Sequence, residues 1–331
     1  MKILACRVFE TDGSVRGRLT DMEPSELSPG EVTIRAAFSG INFKDALAVT
    51  GRGKIMRRLP LNAGVDVSGT VESSADPRFQ PGNAVLVNGM GLGEVQDGGF
   101  AELVRVPADW IVPLPEGLTP FEAMTLGTAG FSAALAVERM ERMGQHPDQG
   151  PICVTGASGG VGSVAVAILA GRGYRVVAVS GRREHHGYLA SLGAHEVATP
   201  EDLGLGSRPL ETAKFGGAID NVGGDLLAAL TRHVGLWGNI AVLGNAASPD
   251  LKTTVFPMIL RGVNLLGVSS TNCPMDLRKE VWRSLGAERK PRHLDRIVSR
   301  TVPLSQVLVE ADAILERRGR GRVVVACTEK P

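Results

Sequence analysis

The sequence predicts an α/β protein of two domains, a β-rich one and one built on a doubly wound parallel sheet. Three observations carry this. The chain has 331 residues, which at roughly 150 residues per domain makes about two, each long enough to bury a core. Up to about residue 115 short apolar runs alternate with turn signals, and from Ile152 onward strand-like and helix-like segments alternate instead. Glycine numbers 42, almost twice the usual share of about 7%, so the chain turns tightly and often.

In chain order, the runs 32–36, 67–71, 84–87 and 103–106 have the length and β-branched content of strands in an all-β region. At Thr119-Pro120-Phe121-Glu122 a Thr N-cap, Pro at the first helical position and Glu three residues after the cap form a capping box, and a helix begins. Then come a strand at 152–155, a helix from about 160 to 172, a strand at 175–180 and a helix ending near 192–193. A strand at 218–222, a helix from about 225 to 233 and strands at 239–243 and 263–267 complete the pattern of βαβ units. The tail adds a helix near 305–317 and a strand at 323–325 that returns to the first domain. Residues 149–171 carry no charge and are long enough to raise the question of a membrane span. Pro151 and the glycines at 156, 159, 160 and 162 divide them into a buried strand, loop and helix.

Basic residues number 36 and acidic ones 35, a net charge of +1. This excludes a disordered polyelectrolyte and gives no general electrostatic case for nucleic acid. Only four apolar residues separate Lys2 from Arg7, too few for a secretory signal, so the expectation is a cytoplasmic protein with no membrane segment. Cys6, Cys153, Cys273 and Cys327 form no C-x-x-C, which argues against a disulfide framework and a cysteine-rich zinc lobe.

After the strand at 152–155 comes Gly156-Ala157-Ser158-Gly159-Gly160-Val161-Gly162 and an apolar helical run. Ala157-x-Gly159-x-x-Gly162 is a dinucleotide fingerprint with alanine at its first glycine. Small residues let the backbone approach a pyrophosphate, whose charge meets unpaired N–H groups at the helix N-terminus. A tight turn alone also favours glycine, but here the strand before, the helix after and a second strand at the right distance agree. That second strand ends in Ser180-Gly181-Arg182-Arg183, where an NAD site would place an acid for the ribose 2′-hydroxyl; the first acid is Glu184. The expected cofactor is NADPH, and the bland alternative is a solvated arginine pair.

A nicotinamide site needs a group to polarise its substrate. No His and Cys have zinc-ligand spacing, and the Tyr-Lys pair of short-chain dehydrogenases is missing, since Tyr174 and Tyr188 have Ala178 and Leu192 four residues on. Hydride transfer to an already activated acceptor remains, a C=C conjugated to a thioester or ketone, or a quinone, with hydrogen-bond donors holding the developing charge.

The chain resembles the zinc-free, quinone-oxidoreductase-like branch of the medium-chain dehydrogenase/reductase superfamily, and within it the acryloyl-CoA reductase family. Ser39-Gly40-Ile41-Asn42-Phe43-Lys44-Asp45, Asp97-Gly98-Gly99-Phe100, Gly127-Thr128-Ala129-Gly130, the glycine turn, Ser180-Gly181-Arg182 and Pro257-Met258-Ile259-Leu260-Arg261-Gly262 carry the likeness. Zinc-containing cousins would have Cys near Gly40 and Gly-His-Glu at Gly64-Val65-Asp66. The resemblance implies a GroES-like catalytic domain at 1–125, completed by about 270–331, and a Rossmann NADPH-binding domain at 126–269. It implies hydride addition to the β-carbon of a short 2-enoyl thioester, acryloyl-CoA giving propionyl-CoA, with a proton then added at the α-carbon. Cofactor contacts carry over to Ser158, Gly159, Gly160 and Val161 at the pyrophosphate and to Ser180, Gly181 and Arg182 at the 2′-phosphate. Asn245, Ile259 and Ser270 match positions nearer the nicotinamide. The family usually has Tyr where this chain has Phe43, which packs on the ring but donates neither proton nor hydrogen bond.

Asn42, Phe43 and Asp45 are the catalytic candidates. Asn42 is a donor to cofactor or substrate, an N-cap with Asp45 at N3, or both. Lys44 reads as a solvated side chain. Arg57 and Arg58 follow Gly51-Arg52-Gly53-Lys54, and Arg57 either holds coenzyme A phosphates or is plain surface charge. Thr128 is a ligand contact at the domain junction or part of a hinge. The last strand of the nucleotide sheet pairs across a two-fold axis in relatives, which implies a homodimer. Two rival readings are a quinone or enone reductase and a non-catalytic NADPH-binding redox sensor.

Overall fold

A computed structural model describes residues 2–328, which divide into two units, each with its own core. The hub of the first unit is the strand Val32–Gly40. It runs antiparallel to Asp66–Ser74 on one edge, while its other edge is shared by Leu103–Val106 and Arg322–Ala326. The tail strand therefore returns to the first sheet as the sequence predicts, with Val324 opposite Gly40 and Ala326 opposite Phe38. Val298–Pro303 extends that edge, and Ala84–Asn88 and Val112–Pro113 extend the other. Val32, Ile34, Val67, Val87, Phe100 and Val104 fill the space beneath the sheet, as period-2 strands with one apolar face require.

A hairpin of Ile3–Thr11 and Ser14–Met22, turned by Asp12-Gly13 with Thr11 opposite Ser14, makes the second sheet together with Leu61–Asn62, which pairs with Ile3–Thr11. The helix Phe43–Thr50 packs on Val307–Leu315. The helix Met275–Leu285 docks through one asparagine, whose Oδ1 accepts from Trp282 Nε1 at 2.8 Å and from Arg278 Nη1 at 2.9 Å; that residue is Asn88. Trp282 and Arg278 are completely buried.

In the second unit six parallel strands lie in the order Glu196–Ala198, Val176–Val179, Ile152–Thr155, Phe215–Asp220, Val234–Val242 and Asn264–Gly267. The chain reverses its winding between Ile152–Thr155 and Phe215–Asp220, the topological switch point where such sheets bind ligands. Ile152–Thr155 and Val176–Val179 are buried along their whole lengths, which explains why they read as unbroken apolar runs. The charge-free stretch is the strand Ile152–Thr155 and the buried helix Gly160–Gly171. Ala287–Ile297 belongs to this unit, held by Arg289, which pairs with Glu138 at 2.6 Å and Glu141 at 2.8 Å.

The capping box at Thr119 is present, with Thr119 N–H donating to Glu122 Oε2 at 2.9 Å and Glu122 N–H to Thr119 Oγ1 at 3.2 Å. The run Pro120–Arg142 is broken at Gly127, with φ 50° and ψ −155°. A Cβ there would stand 2.5 Å from Asp66 Oδ2, so the kink needs glycine on both counts. All four cysteines are free and buried. Among the described residues no helix is long and apolar enough to cross a membrane.

Candidate functional site

The nucleotide turn is built locally. Ala157 N–H donates to Val179 O at 3.0 Å, tying the loop to the second strand, and Gly159 N–H donates to Gly156 O at 3.0 Å. Gly159 is the N-cap of the helix Gly160–Gly171; no side chain caps it and its first turn has no acid. The N–H groups of a first turn have no intrahelical partner, and with the helix dipole they favour an anion. A Cβ on Gly162 would overlap the Gly156 carbonyl oxygen and stand 2.6 Å from Ala157 Cα, so this close approach of helix to strand requires glycine.

Ser158 and Ser180, both buried, meet with their hydroxyl oxygens 3.2 Å apart. Ser180 Oγ also accepts from Arg182 N–H at 3.3 Å. The structure separates the two arginines. Arg183 is committed to both oxygens of Asp202 at 3.2 Å, whereas half-buried Arg182 opens the turn beside Ser180. A Cβ on Gly181 would meet nothing within 4 Å. Ser158, Ser180 and Arg182 thus gather at the ends of the first two strands. An uncapped helix start, a hydroxyl in place of an acid and a guanidinium suit a diphosphate and a ribose 2′-phosphate, so the residues fit NADPH.

Two residues of this unit carry a contact that sequence reasoning misses. Thr155 Oγ1 donates to Asp220 Oδ1 at 2.6 Å, and Asp220 Oδ2 accepts from Gly223 N–H at 2.7 Å. They bridge the two strands at the switch point, and burial pushes the Asp220 carboxyl above its usual range. Asn245 is exposed in the loop after Val234–Val242, and Ser270 is half-buried beyond Asn264–Gly267. Ile259 stands 69% exposed on the short helix Phe256–Arg261, where Phe256 and Leu260 are exposed as well.

The first unit holds a buried charge network. Asn42 caps the helix Phe43–Thr50 in a capping box with Asp45, and its N–H donates to Asp45 Oδ2 at 2.9 Å. Its side-chain amide donates to Asp45 Oδ2 at 3.0 Å and to Asp66 Oδ2 at 2.8 Å, and its Oδ1 accepts from Arg322 Nη1 at 2.9 Å. Asp45 Oδ1 accepts from Val65 N–H at 2.9 Å. Thr128 Oγ1 donates to Asp66 Oδ1 at 2.6 Å and Thr128 N–H donates to the same carboxylate at 2.9 Å. Asp45, Asp66 and Arg322 are all buried. Burial and then the neighbouring Asp66 push Asp45 up to about 7, against the pull of Asn42 and Val65. Burial also lowers Arg322 from the usual arginine range.

Phe43, first residue of that helix, is 54% exposed. Lys44, expected to be solvated, forms an ion pair with Glu94 at 2.5 Å. Arg58 donates to Val95 O and Ser28 Oγ, while the exposed Arg57 guanidinium has no partner among the described residues. Asp66 and Arg322 were missed as site residues. The available signal was a charge placed directly before an apolar strand, Asp66 before Val67 and Arg322 before Val323. Among the described residues no group of three or more His, Cys, Asp or Glu is placed to hold a metal. A Cβ at Gly40 would collide with the Arg322 guanidinium.

Residues 28–116 match the alcohol dehydrogenase GroES-like domain and residues 160–286 match the zinc-binding dehydrogenase family. YhfP of Bacillus subtilis, provisionally named a quinone oxidoreductase, is 46% identical over 301 residues, 91% of each chain. The acrylyl-CoA reductase AcuI of Ruegeria pomeroyi is 41% identical over 317 residues, 96% of each chain. The solved yhdH oxidoreductase of Salmonella enterica in complex with NADP superimposes with a TM-score of 0.94 at 43% identity, covering 99% of this chain and 100% of that one. The B. subtilis yhfP structure with NAD bound gives a TM-score of 0.95 at 43% identity, covering 98% and 99%.

Proposed function

The chain belongs to the medium-chain dehydrogenase/reductase superfamily, and from that premise we propose that it is an NADPH-dependent oxidoreductase reducing the C=C of a short 2-enoyl thioester of the acryloyl-CoA type. The observation that carries the reading is the uncapped glycine turn with Ser180 and Arg182 at the end of the second strand. Bound NADPH supplies the hydride. The chain's own part is to hold the diphosphate on the N–H groups of Gly160 and Val161, to grip the 2′-phosphate with Ser180 and Arg182, and to present the Phe43 ring to ligand. The proposed reaction uses no zinc, because Gly64-Val65-Asp66 stands where zinc-containing cousins carry Gly-His-Glu. The exposed phenyl group of Phe43 favours the second reading, reduction of a quinone or enone, since a flat apolar acceptor stacks on a ring that donates no proton.

Following NADPH absorbance with acryloyl-CoA, crotonyl-CoA and a naphthoquinone, before and after chelator treatment, tests both. Turnover of the thioesters that survives the chelator is expected. Turnover of the quinone alone selects the second reading, and no turnover with NADPH still bound selects a redox-sensing binding protein. Arg182→Ala is expected to bring NADPH affinity down toward that for NADH by about tenfold or more, as loss of one charge-assisted contact does; an unchanged preference removes Arg182 from the site. Arg57→Ala is expected to raise KM for CoA esters and leave a quinone untouched. Equal KM values for the variant and the parent would return Arg57 to plain surface charge.

The pairing state we propose is a homodimer. The strand Asn264–Gly267 has a strand partner on one side only among the described residues, with Trp237, Val255 and Leu260 exposed in the same unit. Sedimentation at the mass of one chain overturns it.

A further inference from the structure

We propose that the buried carboxylate of Asp220 is set toward the nicotinamide half of the bound coenzyme and favours its oxidised, positively charged form over NADPH. This rests on the NADPH assignment above, which leaves Asp220 without a role. Asp220 is 0% exposed and ends the strand Phe215–Asp220, beside the switch point.

Its charge state follows from its partners. Oδ1 accepts from Thr155 Oγ1 at 2.6 Å, Oδ2 accepts from Gly223 N–H at 2.7 Å, and the Val222 N–H donates to the same carboxyl. Thr155 Oγ1 is itself the acceptor of Asn221 N–H at 3.0 Å, so its own proton is the one it gives to Asp220. All these groups donate. A proton on Asp220 would find no acceptor among them, and they hold the carboxyl ionised against the upward push of burial. No cation balances the charge, since Asp220 forms no ion pair among the described residues. Cys153, on the neighbouring strand, is a thiol pushed up by burial and by Asp220, and it stays neutral. A carboxylate enclosed with neutral donors alone is costly, and a positive charge brought near it lowers that cost.

The order of the sheet gives the direction. Val176–Val179, which leads to Ser180 and Arg182, lies on one side of Ile152–Thr155, and Phe215–Asp220 lies on the other. A dinucleotide with its 2′-phosphate on the first side and its diphosphate at the glycine turn carries its nicotinamide to the second, over the ends of Phe215–Asp220 and Val234–Val242. The loops there are tied together. Ala247 N–H donates to Val222 O at 2.8 Å, Gly223 bridges to Ser248, and a Cβ on Gly244 would stand 2.6 Å from Asn221 O. Asn221 Nδ2 donates to Thr155 O at 2.8 Å, which joins these loops to the glycine turn. Asp220 exchanges no proton in the reaction. The hydride leaves with both electrons of its bond, one positive charge remains on the nicotinamide ring, and the fixed carboxylate favours that charge.

The test compares affinities on the full chain. NADPH is titrated by its fluorescence, and NADP+ and 2′,5′-ADP, which lacks the nicotinamide, by calorimetry. Asp220→Asn is expected to weaken NADP+ about tenfold more than NADPH, the scale of one charge interaction at an effective dielectric near 20, and to leave 2′,5′-ADP within about twofold. An equal loss for NADP+ and NADPH, or a loss for 2′,5′-ADP as large as that for NADP+, makes Asp220 a structural tie between strands and overturns the proposal. Asp220→Ser also removes the charge and is read the same way, which keeps the test open if the asparagine variant does not fold. A parent that binds neither coenzyme removes the NADPH assignment and the proposal with it. A parent that binds both, with an unshifted ratio in the variants, overturns the role of Asp220 alone.

Discussion

Replacing Arg322 by methionine is expected to lower the unfolding free energy by about 3–5 kcal/mol, the scale for removing one partner of a buried ion pair. Methionine keeps much of the stem and its apolar contacts. What goes is the cation beside two enclosed carboxyl groups, together with the donor to Ile41 O, Asn42 Oδ1 and Thr125 O. Lysine would not restore it, because a single ammonium does not reproduce a planar fork that reaches three acceptors at once. Adding Asp66→Asn to the variant is expected to recover part of the loss, since the two sites share one network and their effects are not additive. The measurement is the urea midpoint at unchanged slope; a shift worth under about 1 kcal/mol would show that the network contributes little.

The pH dependence of that loss has a definite sign. Asp45 is held at about 7 in the folded chain, above its ordinary unfolded value of about 3.9, so the folded state binds the proton more tightly. The stabilisation is present in full below the unfolded value and is lost as pH rises through about 7. Without Arg322 the Asp45 carboxyl is still harder to ionise, so the deficit of Arg322→Met is expected to grow as pH rises above about 7, where the parent's carboxyl ionises first.

What the sequence made legible follows from the range of the interactions involved. Ile152–Thr155, the turn and the helix Gly160–Gly171 are contiguous, so the nucleotide turn and its helix boundary could be read directly. The capping box of Asn42 and Asp45 spans three residues and was legible for the same reason. The carboxylate pair was not, because Arg322 lies 280 positions from Asn42 and only the sheet pairing of Val324 with Gly40 brings them together. Val234–Val242 is longer than the strand read at 239–243, since Gly235 and Gly238 break the apolar run without breaking the ladder. The hairpin's second strand, Ser14–Met22, carries Arg16, Arg18 and Asp21 on exposed positions, and its apolar signal is too thin to mark a strand.

Gly162→Val is expected to weaken NADPH binding by two to four orders of magnitude. The branched side chain at the third helical position would need the space of the Gly156 carbonyl and of Ala157 Cα, which are backbone atoms that yield only if the turn opens. Opening it moves the N–H groups of Gly160 and Val161 away from the diphosphate. Each hydrogen bond to a charged group contributes about 1.5–3 kcal/mol, so losing two costs about 3–6 kcal/mol, at 1.4 kcal/mol per tenfold. Gly159→Ala separates folding from binding. Its φ of −78° suits any residue, and its new Cβ would meet nothing closer than the Gly156 oxygen at 3.4 Å, so the thermal midpoint should barely move. Any loss of affinity in that variant therefore reports a ligand pressed against the backbone at residue 159. Parent-like NADPH titrations for both variants would show that the diphosphate lies elsewhere.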